Sequence, residues 1–186
     1  MKQLIAQVGM LPSLELRQDL YANLIRSIVG QQLSTKAAAT IHGRFLDLFD
    51  HRYPHPEQLL QFSIEQLRSA GLSRQKSTYV QNVAQHFKNH QLFGADWSDY
   101  SNEEILESLT QIKGVGTWTV QMILMFTLGR EDVFPTLDVG IQNAMKRLYD
   151  IEATGKELKR KMEQIATAWQ PYRTYACYCL WRFLDE

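Results

Sequence analysis

Cysteine is nearly absent from the chain. Only Cys177 and Cys179 occur in 186 residues, two apart in a stretch that reads as helix, where their side chains diverge. That argues against a disulfide framework and leaves too few thiolates for an iron–sulfur cluster. No apolar run approaches the roughly 20 residues that a helix needs to span a bilayer, so no membrane partner is expected. The N-terminus, Met1-Lys2-Gln3-Leu4-Ile5-Ala6-Gln7, has one basic residue, no long apolar stretch and no small-residue cleavage site. It does not read as a secretory signal, and a cytoplasmic location is expected. Net charge is missing too, because 20 basic residues balance 20 acidic ones, so any anionic partner must be held by local placement of charge. There is no strand-like alternation, no repeat at solenoid periods and no low-complexity linker.

What is present is helical periodicity. Hydrophobic residues make up 45% of the sequence and charged ones 22%, the balance of an ordinary globular protein. Leu20, Tyr21, Leu24, Ile25, Ile28 and Val29 fall on one side of a 3.6-residue period. Ser34 is placed to cap the helix that follows, with Ala37, Ala38, Ile41, Phe45 and Leu48 inward. Pro56 suits a first helical turn. Ser63 with Gln66, Ser101 with Glu104 and Thr154 with Glu157 have capping-box spacing. Gly71 and Gly129 follow apolar stretches, where left-handed residues end helices. The spacing predicts roughly ten short helices, the last from about Tyr172 to Phe183. An amphipathic helix is expected at the chain's start. A basic run at Lys156, Lys159, Arg160 and Lys161 contrasts with five acids and no Lys or Arg between Asp96 and Glu107.

The stretch that carries function is Leu109-Thr110-Gln111-Ile112-Lys113-Gly114-Val115-Gly116-Thr117-Trp118-Thr119. It reads as helix, hairpin, helix. Two glycines around one aliphatic residue allow a tight turn, anchor it through Val115 and expose amides at the start of the next helix. Such amides bind a phosphate oxygen without reading sequence. Twenty-four residues after Gly114 comes Asp138, in Val133-Phe134-Pro135-Thr136-Leu137-Asp138-Val139-Gly140-Ile141. Pro135 stops what precedes, and Thr136 or Asp138 starts another helix.

This hairpin, followed by a Gly/Pro-containing loop that ends in Asp, resembles the helix-hairpin-helix DNA glycosylase superfamily. Three further segments look like its 3-methyladenine DNA glycosylase II branch: Ile28 to Ser34, Gly71 to Lys76, and Tyr172 through Trp181. The resemblance runs from about Leu20 onward, without the extra N-terminal β-rich domain of some bacterial members. It implies an all-α helix-hairpin-helix glycosylase fold, a single domain over 1–186 made of two helical lobes with a DNA-binding cleft between them. The N- and C-terminal helices are expected to share one lobe.

The implied activity is monofunctional removal of alkylated bases, 3-methyladenine and related purines, from damaged double-stranded DNA by a monomer in base excision repair. Asp138 is the implied catalytic carboxylate, as a general base or as an electrostatic stabiliser of the sugar cation. Trp118 and Trp181 are implied walls of the base pocket. Tyr175 is a third candidate, for which a core role is equally open. Gly114, Val115, Gly116 and Thr117 would hold the DNA backbone, and Gln32 or Leu33 would fill the gap left by the extruded base. Backbone carbonyls of Thr110, Ile112 and Val115 would hold a structural Na⁺ or K⁺, with no other cofactor required. Members that cut the strand carry a lysine where this chain has Trp118, so no Schiff base is expected. His86 and His90 are one turn apart but lack the zincin glutamate and read as surface residues, while His42, His51 and His55 receive no role. Two other readings stay open, a glycosylase for oxidised or deaminated bases and a non-catalytic DNA-binding module.

Overall fold

A computed structural model describes Met1, residues 4–6 and residues 19–185. Among these residues there are ten α-helices from Leu20 onward, a helical turn at residues 4–6 and no strand, as the periodicity requires. In chain order they are α1 (Leu20–Gly30), α2 (Thr35–Leu46), α3 (Pro56–Leu59), α4 (Ile64–Ser69), α5 (Arg74–Asn89), α6 (Asn102–Thr110), α7 (Thr117–Phe126), α8 (Val139–Tyr149), α9 (Gly155–Ala166) and α10 (Arg173–Asp185). Short 3₁₀ turns sit at Asp50–Arg52, Trp97–Asp99 and Thr167–Trp169.

The chain divides into two compact units, one spanning Arg17–Ile123. The other contains Leu124 onward together with the described residues at the start of the chain, where Leu4 is buried. The remainder of the expected N-terminal helix lies outside the described residues.

In the first unit α1 buries Leu20, Tyr21, Leu24, Ile25, Ile28 and Val29, the face anticipated from their spacing. Burial at about 1.5–3 kcal/mol per large side chain outweighs the few tenths that separate helix propensities, so it fixes how α1 is turned. Its partners are α2 and α5, and α5 also receives α3 and α4. With Val80, Val83, Ala84 and Phe87 buried, α5 is the helix around which this unit is built. In the second unit α10 lies along α8, and α9 packs on α8 from elsewhere.

Most helix starts obey local rules. The Ser34 hydroxyl accepts from Ala37 N, and both Ser63/Gln66 and Ser101/Glu104 form complete capping boxes. Pro56 occupies the first turn of α3. Gly71 and Gly129 take φ of +103° and +64°, the left-handed geometry expected at helix ends. The Thr154/Glu157 box is a correction: Thr154 makes no side-chain cap. Gly155, the first residue of α9, has φ +57°, and this kink carries the Thr154 hydroxyl away from the amides that it would have capped.

His86 is a second correction. It is half-buried rather than exposed, with Nε2 at 3.2 Å from Ser108 Oγ and its ring 4.4 Å from that of His90. Burial and the neighbouring His90 push its pKa below the ordinary histidine value. Among the described residues no group of three or more His, Cys, Asp or Glu side chains is arranged for a metal ion.

Candidate active site

The hairpin between α6 and α7 is a tight turn pinned from within. Val115 N donates to Ile112 O at 2.9 Å, and Val120 N to Gly116 O at 3.1 Å. Ile112 and Val115 are buried, so the loop is held by apolar anchors while Gly116 stays exposed. Gly114 has φ +108°, and a Cβ there would fall 2.3 Å from Cγ of Tyr79. Only glycine lets the turn lie on that ring.

Three side chains of α5, spaced three residues apart along one side, hold the segments that the sequence singled out. Tyr79 underlies Gly114, and Asn82 Nδ2 donates to Lys113 O at 3.1 Å. Lys76 Nζ donates to Val29 O at 2.8 Å and to Gln31 O at 2.6 Å, closing off the C-terminal end of α1. Gln31 Nε2 reaches Gly114 O at 3.5 Å. The loop of Gln32 and Leu33 is therefore tied to the hairpin within one unit. Gln32 is exposed and has φ +58°, and Leu33 is exposed beside it. A non-glycine residue in the left-handed region is strained and persists only where its surroundings impose it.

In the second unit Asp138 opens α8. Its Oδ1 accepts from Ile141 N at 2.9 Å, the helix cap, and from Trp181 Nε1, also at 2.9 Å. Two donors converging on one oxygen fix the orientation of the carboxylate. Trp181 stacks on Phe126 at 5.8 Å and meets Tyr178 edge-on at 5.9 Å, while Phe126 is 43% exposed. An acid thus sits at the border of a cluster of aromatic rings.

The loop leading to Asp138 is stitched to the first turn of α10. Thr174 Oγ1 donates to Arg130 O at 2.7 Å and accepts from Val133 N at 3.0 Å. Arg173 grips Asp132 with Nε at 2.6 Å from Oδ1 and Nη2 at 2.9 Å from Oδ2, which holds the Asp132 carboxyl below its usual pKa. A two-pronged, partly buried pair of this kind adds geometry as well as energy. Because α10 carries both this clamp and Trp181, it sets the path of the loop and the orientation of Asp138 together.

The remaining candidates are placed as follows. Trp118 lies in the first turn of α7 and is 43% exposed. Tyr175 is directed to Glu131, its hydroxyl donating to Oε1 at 2.8 Å, and that bond raises its pKa; its ring neighbours Tyr172. Cys177 and Cys179 are free and buried.

Lys76, Phe126, Gly140 and Tyr178 were not singled out by the sequence as site residues in their own right. For Gly140 the only signal was a glycine inside a first helical turn. A Cβ at Gly140 would lie 3.0 Å from Trp181 Cδ1 and 3.1 Å from both Trp181 Nε1 and Asp138 Oδ1. Gly140→Ala gains about 0.5–1 kcal/mol of helix propensity and loses about 1–3 kcal/mol to crowding. A lowering of the melting temperature by no more than roughly 10 °C is expected, with altered near-ultraviolet circular dichroism as the indole is displaced. An unchanged spectrum would mean that the indole gives way without turning.

A glycine hairpin between two helices, and a helix-capping aspartate held by an indole, define a helix-hairpin-helix protein with an aspartate-centred site. The sequence pattern of the family described as HhH-GPD superfamily base excision DNA repair protein matches residues 25–171, and the chain belongs to that family. It is 34% identical over 169 residues to DNA-3-methyladenine glycosylase 1 of Schizosaccharomyces pombe, covering 89% of this chain and 73% of that protein. It is 33% identical over 178 residues to YfjP of Bacillus subtilis, covering 92% of this chain but only 61% of YfjP. Among solved structures, a DNA-3-methyladenine glycosidase from Bacillus halodurans is similar with a TM-score of 0.85 and 38% identity, over 100% of this chain and 86% of that one. The S. pombe 3-methyladenine DNA glycosylase Mag1, solved in complex with abasic DNA, gives 0.80 and 32%, over 100% of this chain and 91% of that one.

Proposed function

We propose that the chain is a DNA glycosylase that hydrolyses the bond between an alkylated purine, such as 3-methyladenine, and its deoxyribose, leaving the strand uncut. The observation that carries this reading is Asp138, a carboxylate oriented by Trp181 and by the first turn of α8 beside exposed aromatic surface. It stands in a chain whose family repairs bases and whose relatives include proteins named for 3-methyladenine.

The hairpin amides around Gly116 and Thr117, with Gly114 and Val115 shaping the turn, hold a phosphate of double-stranded DNA. The damaged nucleotide is extruded at a cost of a few kcal/mol, which damage or mispairing reduces, and Gln32 or Leu33 occupies the gap. As the base leaves, positive charge develops on the sugar. The Asp138 carboxylate stabilises that charge and orients the attacking water. An alkylated purine is already cationic, so it departs without a general acid and stacks on aromatic rings with a cation–π gain of about 0.5–2 kcal/mol. On α10, Trp181 and Tyr175 are the proposed stacking surfaces, and Trp118, in the first turn of α7, is a further proposed aromatic contact for the base. Trp118 offers no amine for a Schiff base, and water is the nucleophile.

The hairpin is also compatible with a monovalent cation on the carbonyls of Thr110, Ile112 and Val115. The Ile112 oxygen keeps a second lone pair beyond its bond from Val115 N, and the ion would add positive charge near the phosphate. The enzyme works as a monomer in the compartment that holds the DNA, the cytoplasm of a cell without a nucleus.

The deciding experiment incubates the protein with methylated duplex DNA, identifies released bases by chromatography and examines the strand before and after alkali. Free 3-methyladenine is expected, with breaks only after alkali. Release of an oxidised or deaminated base alone would replace the substrate, release of none would leave a DNA-binding module, and breaks before alkali would overturn the absence of strand cleavage.

A further inference from the structure

We infer that Lys76 is the positioning residue that holds the Gln32-Leu33 loop in its inserting shape and sets its distance from the hairpin. This rests on the reading above, in which that loop enters duplex DNA. The last carbonyls of a helix have no partners within it, and where α1 ends its chain does not turn back through a glycine. Instead Lys76, 47 residues from Val29 and 45 from Gln31, supplies two hydrogen bonds to their carbonyls at 2.8 and 2.6 Å. The residue is half-buried, and burial draws its pKa below the ordinary lysine value. Among the described residues no carboxylate forms a salt bridge with it. What stabilises the charge is the negative end of α1 and the two carbonyls.

This bonding explains the strain at Gln32. The residue between the lysine-bound Gln31 and the exposed Leu33 is held at φ +58°, and a surface loop free to relax would leave that region. The ammonium fixes the loop on its N-terminal side, and Ser34, capping α2, fixes the other. The same side of α5 carries Tyr79 under Gly114 and Asn82 on Lys113 O. Loop and hairpin are therefore mounted on one rigid helix, at a separation set by the stretch of α5 from Lys76 to Asn82. A lysine that touches no reacting atom can in this way govern extrusion. Its contribution is largest where a stacked, paired base must be displaced, and smallest where the base is already unpaired.

The test uses the full chain as wild type and as Lys76→Met, which keeps the aliphatic stem and removes the charge and donors. Binding to duplex DNA with 2-aminopurine beside an abasic-site analogue reports unstacking by the loop without requiring catalysis. Lys76→Met is expected to lose most of the fluorescence rise while circular dichroism shows a folded chain. In single-turnover excision of a methylated purine, the ratio of the rate in a normal pair to the rate in a bulge is expected to fall about tenfold or more, because only the paired base needs full extrusion. Lys76→Arg, which keeps charge and donors, is expected to recover part of both signals. In a chain already carrying Gln32→Ala and Leu33→Ala, Lys76→Met is expected to have little further effect, since residues acting through one another are not additive. A full fluorescence rise, equal losses on paired and bulged substrates, or additive losses in the loop-truncated chain would each overturn the assignment. Failure of the wild type to release any base would instead strike the glycosylase reading, while the fluorescence comparison would still decide the role of Lys76.

Discussion

Asp138→Asn is expected to abolish base release, by about 100-fold or more, while binding of abasic DNA stays within a few-fold of wild type. The choice of asparagine decides what the experiment means. Asp138 has a structural duty, since Oδ1 caps α8 through Ile141 N and receives Trp181 Nε1. Asn and Asp are nearly equal as N-caps, and the Asn amide oxygen can accept both bonds, whereas Ala would cost about 1 kcal/mol of helix stability and release the indole. The substitution therefore removes the negative charge and leaves the geometry. Removing one preorganised electrostatic partner of a transition state costs about 10²–10³ in rate, equivalent to roughly 3–4 kcal/mol. Loss of a cap alone cannot supply that. Single-turnover release from methylated DNA, with a melting curve and an abasic-DNA titration on the same preparation, separates the two. Wild-type rates in the variant would reduce Asp138 to a helix cap.

The sequence was most legible where partners are neighbours. Ser34, Ser63 with Gln66, and Ser101 with Glu104 bond within three residues, so spacing alone specifies them. Thr154 shows where this fails, because Gly155 takes a backbone angle that the capping rule does not include. The all-α class and the buried face of α1 were legible for the same reason, as 3.6-residue periodicity is a local property. The site is built differently. Trp181 is 43 residues from Asp138, Gln31 is 83 from Gly114, and Arg173 is 41 from Asp132. No spacing rule reaches across such intervals. The resemblance to a family drew attention to Asp138, Trp181 and the Gly71–Lys76 segment, but it did not say that the indole binds the carboxylate or that Lys76 binds the end of α1. Tyr175 illustrates the remainder. That its hydroxyl goes to Glu131 was not legible, because the bond depends on Thr174 and Arg173 drawing that end of α10 onto the 130–133 segment.

The two hairpin glycines are expected to separate into a structural and a ligand-facing one, with Gly114→Ala giving the largest loss of stability. At Gly114 two costs coincide. The backbone at φ +108° disfavours any L side chain by about 1–3 kcal/mol. The new methyl would also meet Cγ, Cδ1 and Cδ2 of Tyr79 between 2.3 and 2.7 Å, the root of the ring rather than its movable tip, and overpacking of this kind costs about 1–3 kcal/mol or more. Together they amount to about 2–6 kcal/mol against a total stability of about 5–15 kcal/mol, a loss that is expected to lower the melting temperature by about 5 °C or more. Relief of the collision would push the hairpin off α5 and away from Asn82 and Gln31, so DNA binding should fall as well. Gly116 has nothing within 4 Å of a Cβ and no left-handed backbone. Gly116→Ala is therefore expected to melt like wild type, or slightly higher because the unfolded chain loses freedom. Its effect should fall on DNA affinity, by about tenfold, if the exposed amides there receive a phosphate at close range. Melting curves and DNA titrations on both variants give the comparison. Adding Tyr79→Ala to Gly114→Ala should return part of the lost stability, since it removes the collision but not the backbone cost. No recovery would place the whole penalty in the backbone, and normal DNA binding by Gly116→Ala would remove the hairpin amides from the phosphate contact.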